Sequence, residues 1–253
     1  MAQAFLILIS MLLCSVQLVA ESSVWKVQKG KNVFYIGGTM HILSASDFPL
    51  PKEYDSAYND ADMLVFETDI GALGTLQVQQ MMMAQSLYRD GSTLQSHLSA
   101  KTYKRLSEYC VANALPMEQM NLLKPSMVVI ALTSMELIKL GVSEHGVDHF
   151  YYQLAQTDHK KIEAFESIQE QINFVTTMGE GNEDAFVRYS LSDLESIKTF
   201  YDFLVKAWRN GDENKIYQKI VAEVKSKMPK IYQTLKLKLR KKLKVQKIFK
   251  IIK

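Results

Sequence analysis

Short apolar runs of β-strand character and long stretches of helical periodicity divide the chain. Residues 24–27 and 33–36 are β-prone and flank the polar segment 28–32, which contains a glycine, so this part predicts a β-hairpin. Residues 63–66 form a continuous apolar run, which is typical of a fully buried strand. A further strand is predicted over residues 161–165.

Helical patterns occupy most of the remaining chain between residues 52 and 227. Pro51 and Ser99 are suited to helix starts, while Gly91 and Gly141 are suited to helix ends. The predicted helices cover residues 52–61, 73–89, 99–114, 125–140, 147–156, 167–178, 184–209 and 212–227. This order predicts one α/β domain over residues 21–234, with a small mixed β-sheet and a large helical insertion.

The N-terminal segment, residues 1–20, is almost wholly apolar. Residues 4–20 carry no charge, and the small residue Ala20 precedes Glu21 at a suitable cleavage point. The segment is too short for a comfortable membrane span, so we predict a secretory signal and an exported, periplasmic or extracellular protein without a stable span. An uncleaved anchor is the alternative. Removal of the signal leaves Cys110 as the single cysteine, which excludes an intramolecular disulfide and favours a buried, inert thiol.

Positive charge is concentrated at the end of the chain. The formal net charge is +3, but nine Lys and Arg residues lie in 235–253, where there is no acid, and the chain without them carries −6. The folded body therefore shows no basic face for nucleic acid. The tail fits a membrane-surface helix, a basic arm for nucleic acid or acidic partners, or the product of a shifted reading frame. Its abrupt change of composition favours the last, an aberrant tail.

The segment Gly37-Gly38-Thr39-Met40-His41 directly follows the second predicted strand. Glycines allow the chain to turn there and a ligand to approach closely. Ligands of α/β sheets gather beyond the carboxyl ends of strands, so His41 stands where a metal ligand or a general base would lie. A hydrogen-bonded loop histidine is the simpler interpretation.

Carboxylates follow the other two predicted strands. Glu67 and Asp69 come directly after residues 63–66 and should point to the same side, because they are two residues apart. A carboxylate at the end of an apolar strand costs free energy unless it is paired or bound to a metal. Glu166 follows residues 161–165 in the same way. The alternatives are a helix N-cap or a salt bridge for the first two, and a helix-start acid for Glu166.

Taken in order, these features resemble the TraB/GumN family, which also includes the Tiki-type metalloproteases and the TraB pheromone-shutdown proteins. The resemblance extends over residues 23–235. It rests on the strand pair followed by Gly38-Thr39-Met40-His41-Ile42-Leu43, on Phe66-Glu67-Thr68-Asp69, on Gly146-Val147-Asp148, on Phe165-Glu166 with Gln171, and on Trp208-Arg209-Asn210-Gly211-Asp212.

The resemblance implies a divalent-metal peptidase that acts on a peptide or protein substrate, with manganese or cobalt as the suggested ion and zinc as a further option. The first motif histidine corresponds to His41 and the motif glutamate to Glu67, so these two are the implied metal ligands and catalytic residues. The other family-motif positions, whose individual roles are unassigned, are Gly38, Asp69, Asp148, Glu166 and Gln171.

The chain departs from the family pattern where a second Gly-x-x-His motif is expected, because the basic tail stands there instead. Gly146-Val147-Asp148-His149 has that spacing but aligns with a different family segment, and a chance match is unsurprising. Catalytic metal sites use about three protein ligands, so a site with two should be impaired. His145 and His149 could share a helix face as a metal pair, but exposed histidines near a helix start are the default.

Four functions are compatible with the sequence. The first is a metal-dependent hydrolase of the peptidase type, either impaired or completed by a partner. The second is a non-catalytic protein that binds a peptide or an exported partner. The third is a metal-free hydrolase with His41 as its base, as in the more distant erythromycin esterase-like proteins. The fourth is a truncated, inactive product.

Overall fold

The computed structural model describes residues 22–143, 145–233 and 236. Within them the strands are β1 (Val24–Lys29), β2 (Asn32–Gly37), β3 (Leu43–Ser44), β4 (Met63–Phe66), β5 (Val142–Ser143) and β6 (Lys161–Ala164). Strands β1 and β2 form the predicted antiparallel hairpin, with Val24 opposite Gly37. Strands β3 and β5, which the sequence did not predict, form a short antiparallel pair. Strands β4 and β6 pair in parallel, with Met63 opposite Lys161.

Helices make up most of the rest of the described chain. They are α1 (Lys52–Asp60), α2 (Ile70–Leu73), α3 (Leu76–Ser86), α4 (Leu94–His97), α5 (Ala100–Ala112), α6 (Met117–Met120), α7 (Pro125–Lys139), α8 (Val147–Thr157), α9 (Ile168–Thr176), α10 (Glu183–Leu194), α11 (Ile197–Arg209), α12 (Glu213–Ile216) and α13 (Glu223–Lys227). A 3₁₀ turn at Ala45–Asp47 and a π-helical turn at Tyr217–Ala222 complete the set. None of the helices in this part of the chain is long and apolar enough to cross a membrane.

A long helical connection joins the two parallel strands. Strand β4 ends at Phe66, strand β6 begins at Lys161, and α2 to α8 lie between them. Parallel strands need a crossover of this kind, since a tight turn can join only antiparallel ones. The α/β class with a large helical insertion is therefore confirmed, and the small sheet takes the form of two-stranded pairs in both orientations.

Two hydrophobic clusters hold these elements together. The aromatic core underlies the strands and is formed by Leu43, Leu50, Tyr54, Tyr58, Leu137, Val142, Val147, Tyr151, Ala155, Tyr201, Val205 and Trp208. The aliphatic core lies among the helices and is formed by Leu94, Leu98, Leu106, Cys110, Val128, Leu132, Val187, Leu191 and Leu194. Cys110 is buried and unpaired in this second cluster, as predicted.

Three predicted elements differ from the structure. The helix expected over 73–89 is shorter, at Leu76–Ser86, because Thr75 accepts a hydrogen bond from the amide of Val78 (3.4 Å) and so caps a later start. The helix expected over 184–209 is two helices, because Ser196 leaves helical backbone geometry (φ −121°, ψ 18°). Strand β4 is half-buried rather than fully buried, since β6 is its one strand neighbour in the described chain.

The predicted signal at 1–20 and almost all of the basic tail at 235–253 lie outside the described residues. Both interpretations stay predictions.

Candidate active site

The glycine-rich loop after β2 is fixed by hydrogen bonds to its backbone. The amide of Gly38 donates to the carbonyl of Ser23 (2.7 Å). The carbonyl of Gly38 accepts from the indole Nε1–H of Trp208 (2.6 Å) and from the hydroxyl of Tyr54. Buried backbone groups need such partners, and here aromatic side chains from α1 and α11 supply them. The loop that carries His41 therefore has a defined position above the aromatic core.

A second glycine brings helix α8 against this loop. The amide of Val147 donates to the carbonyl of Met40 (2.9 Å), and a Cβ at Gly146 would collide with that carbonyl and with the backbone of His41. The backbone of Gly146 itself is ordinary (φ −85°, ψ −167°), so the close approach and not the torsion requires glycine. The first turn of α8 consequently lies beside His41.

The close approach places Asp148 in contact with His41. Its Oδ2 forms a hydrogen bond with Nδ1 of the imidazole. An ionised carboxylate can only accept, so Nδ1–H donates and Nε2 is left as the nitrogen that can bind a metal or a proton. The imidazole is 66% exposed and the carboxylate 16% exposed. The hydrogen bond to Asp148 raises the pKa of His41 above its ordinary value of 6.5, burial opposes this, and the negative charge of Glu67 adds to it.

Glu67 and Glu166 follow the parallel strands β4 and β6, and their backbones are hydrogen-bonded to each other. The amide of Glu166 donates to the carbonyl of Glu67 (2.9 Å), which extends the ladder of β4 and β6 by one step. Glu67 is exposed. Its negative charge makes the smallest of the contributions that raise the pKa of His41. The residues that directly precede His41 and Glu67, Met40 and Phe66, pack against the aromatic core.

Asp69 takes the simpler of its two predicted roles. Its carboxylate accepts from the amide of Ala72 (3.1 Å) and caps α2, so it is committed to the helix start. A Cβ at Gly71 in the same turn would collide with the hydroxyl of Tyr152 on α8. The turn after β4 is thereby packed against the helix that carries Asp148.

The remaining two motif positions, Glu166 and Gln171, lie at the start of α9. Glu166 directly precedes α9, whose N-cap is Ser167 with Glu170 completing a capping box. Gln171 lies in the first turns of α9, and its Oε1 is buried without a hydrogen-bond partner among the described residues. A buried unpaired amide oxygen is uncommon and marks this position as one to test.

Sequence reasoning missed the role of four residues. Asp148 was a motif position without an assigned role, and its partner stands 107 positions earlier. The sequence predicted no role for Tyr54, and it placed Trp208 only within a motif. Arg209, next to Trp208, donates to the carbonyl of Asp47 (2.7 Å) and so secures the chain just beyond the loop. The motifs at 146–148 and 208–212 were the available signals for Asp148, Trp208 and Arg209, and Tyr54 belongs to no such motif.

The donor types at this site suit a divalent metal, although the donor number is small. Imidazole and carboxylate are ligands of manganese, cobalt and zinc sites. A carboxylate that holds the second imidazole nitrogen, as Asp148 holds His41, is the usual support of a metal-binding histidine. Across residues 22–143 and 145–233, no group of three or more His, Cys, Asp or Glu side chains is arranged to hold a metal ion. His41 and Glu67 are two side chains of suitable donor type, fewer than the three or so protein ligands that a catalytic metal site usually has.

Comparison with known proteins agrees with the motif reading. A family model described as the TraB/PrgY/gumN family matches residues 23–252. The match includes every candidate site residue and extends into the basic tail. No curated protein and no solved structure matches the chain.

Proposed function

The chain belongs to the TraB/PrgY/gumN family, and we propose that it is an exported, divalent-metal-dependent hydrolase of the peptidase type. One observation carries the proposal: Asp148 holds Nδ1 of His41 while the charge of Glu67 acts on the same imidazole. A histidine fixed by a carboxylate, with a second carboxylate at the end of another strand, is an arrangement suited to hydrolysis.

Each of the three side chains has a distinct role in this proposal. Nε2 of His41 is a metal ligand, and Glu67 is a second ligand or the general base that takes a proton from water. Asp148 is a positioning residue, since it fixes the tautomer and orientation of the imidazole. A metal bound here would polarise a substrate carbonyl and lower the pKa of a bound water. With two of about three customary protein ligands, we expect weak metal affinity and an impaired enzyme.

A metal-free hydrolase with His41 as its base is the second candidate. The contact between Asp148 and Nδ1 of His41 supports it as well, because a carboxylate on one ring nitrogen makes the other a better base. This reaction would need no metal donors, so the small donor number is no obstacle to it.

The two candidates separate in a single experiment on untagged mature protein. Mn²⁺, Co²⁺ and Zn²⁺ are titrated by calorimetry into the wild type, His41→Ala, Glu67→Gln and the control His159→Asn. Each variant is then assayed against a quenched-fluorescent peptide library, with metal and with excess chelator. His159 is an exposed histidine with a positive φ of 55°, which asparagine tolerates, so the control removes an imidazole without strain.

The metal-dependent proposal expects binding that His41→Ala and Glu67→Gln weaken and His159→Asn preserves, with hydrolysis lost in chelator. Hydrolysis that persists in chelator and disappears in His41→Ala supports the metal-free candidate instead. If no metal binds and no peptide is cut, both are wrong, and a non-catalytic binding protein is left. Export is checked separately by fractionation and by the mass of the mature N-terminus, which the proposal places at Glu21.

A further inference from the structure

Two histidines outside the proposed active centre face each other at the start of α8. Nδ1 of His145 and Nδ1 of His149 are 3.2 Å apart, and their ring centroids are 4.6 Å apart at an interplanar angle of 47°. His145 is exposed and His149 half-buried, so both are accessible to solvent. We propose that these two residues form a separate binding site for a borderline divalent transition-metal ion of the Zn²⁺, Cu²⁺ or Ni²⁺ class.

The distance between the two nitrogens matches the distance between two ligands of one tetrahedral metal ion. Two imidazole nitrogens at roughly 2.05 Å from a tetrahedral ion are separated by about 3.3 Å. The observed 3.2 Å therefore lets both nitrogens bind one ion without a change of backbone. Imidazole is the preferred protein ligand of these metals, and it selects them against Mg²⁺ and Ca²⁺.

The contact between the two rings is itself a hydrogen bond, in which one Nδ1 donates and the other accepts. A bound ion would replace the shared proton, because it takes a lone pair from each nitrogen.

The backbone that carries the two histidines is held in place on both sides. The amide of His145 contacts Oγ of Ser143 (3.4 Å), and that hydroxyl donates to the carbonyl of Leu43 (3.1 Å). Gly146 and Val147, between the histidines, are held against Met40 and His41. A preformed pair loses little conformational freedom on binding, which raises metal affinity.

This site uses none of the ligands of the proposed function, so the two can be tested apart. The background for the experiment is His41→Ala, which removes the other candidate site. Untagged protein in this background is compared with the same protein carrying His145→Ala, His149→Ala or the control His159→Asn. Zn²⁺ binding is measured by calorimetry, and Cu²⁺ is followed by electron paramagnetic resonance, which reports the number of bound nitrogens. Circular dichroism checks that each variant is folded.

We expect one Zn²⁺ per chain in the His41→Ala background and a two-nitrogen Cu²⁺ spectrum. Each of the two alanine variants should weaken binding by at least about tenfold, because the second ligand binds intramolecularly, and reduce the spectrum to one nitrogen. His159→Asn should change neither. The proposal is overturned if folded His145→Ala or His149→Ala binds Zn²⁺ as well as the control does, or if the Cu²⁺ spectrum shows a single nitrogen from the start.

Discussion

The aromatic core and the aliphatic core are built from different chemistry and serve different ends. In the aromatic core most large side chains end in a polar group, and these groups bind fixed acids or carbonyls: Tyr58 donates to Asp158 (2.7 Å), Tyr151 to Asp55 (2.7 Å) and Tyr201 to Asp47 (2.6 Å). The aliphatic core consists almost wholly of Leu and Val. The aromatic core positions loops through the polar groups of its side chains, whereas the aliphatic core mainly stabilises the fold.

The hydroxyl groups of the aromatic core keep their protons over the whole range of ordinary pH. Burial, with a hydrogen bond to Asp158, raises the pKa of Tyr58 to about 12, and burial beside Asp47 raises that of Tyr201 to about 12. They therefore remain donors when the medium changes. The imidazole of His41 is exposed above this core, and its hydrogen bond to Asp148 raises its pKa above the ordinary value of 6.5.

The largest effect should come from the aliphatic core and should leave the candidate site intact. Leu132 is 1% exposed, so Leu132→Ala should lower the free energy of unfolding by about 3 kcal/mol, through lost burial and a residual cavity. Denaturant unfolding measures this. Leu76→Ala is the control, because Leu76 is 69% exposed and its loss should cost within about 0.5 kcal/mol.

Leu132→Ala also tests whether the two cores are independent. We expect the NMR signals of the His41 ring to be unchanged in the folded variant, since Leu132 belongs to the other cluster. A shift of those signals as large as that caused by a change at the site would mean that the two cores behave as one unit.

A smaller loss of stability with a larger loss of function should follow from Gly146→Ala. The new Cβ would collide with Met40 and His41, so α8 must move away at a cost of about 2 kcal/mol. The contact between His41 and Asp148 should break with it. Metal titration and the NMR signals of His41 measure the site, and denaturant unfolding measures the stability.

The control for this change is a glycine with space around it. Gly74 has ordinary backbone geometry (φ −79°), and nothing lies within 4 Å of a Cβ built there. Gly74→Ala should be neutral or slightly stabilising, by up to about 1 kcal/mol, since it restricts the unfolded chain. An equal response of the two variants would show that Gly146 is not needed for close approach.

Local patterns were enough to predict most elements but not their interruptions. The hairpin of β1 and β2, the strand at Met63–Phe66 and the helix capped by Ser99 follow from apolar periodicity and capping residues. The later helix start at Thr75 did not, because threonine within an apolar stretch is as compatible with a continuous helix. Strands β3 and β5 have two residues each, which is too short for the alternation of apolar and polar residues that predicts a strand.

The candidate site was predictable only in part, for a similar reason. His41 and Glu67 stand at strand ends, which a sequence reveals. The pairing of His41 with Asp148 depends on two segments 107 residues apart, and the need for glycine at 146 depends on the same contact. Asp69 shows the limit most clearly, since an acid at a strand end can be a ligand or an N-cap, and only the fold decides.

Asp148→Asn should change the stability least, and its effect on the pKa of His41 is the most specific measure of the site. This variant weakens the hydrogen bond and removes the negative charge that together raise the pKa of His41, so that pKa should fall toward 6.5 in an NMR titration of the ring. Asp202→Asn is the matched control, because Asp202 is an exposed acid paired with Lys198, and it should leave the pKa of His41 unchanged.

The sign of the accompanying stability change follows from linkage. A histidine whose pKa is raised by folding stabilises the protein most below its unfolded pKa, and this contribution disappears as the pH rises through the folded pKa. Asp148→Asn should therefore lower the free energy of unfolding more at pH 5.5 than at pH 8.5. The difference should stay below about 1 kcal/mol, because the imidazole is 66% exposed and solvent screens the pair.

The activity of the same variant should depend on pH in the opposite sense. His41 must be neutral to bind a metal or accept a proton, so the variant should reach its plateau at lower pH than the wild type. An unchanged pKa of His41 in Asp148→Asn would contradict the role of Asp148 as its positioning residue.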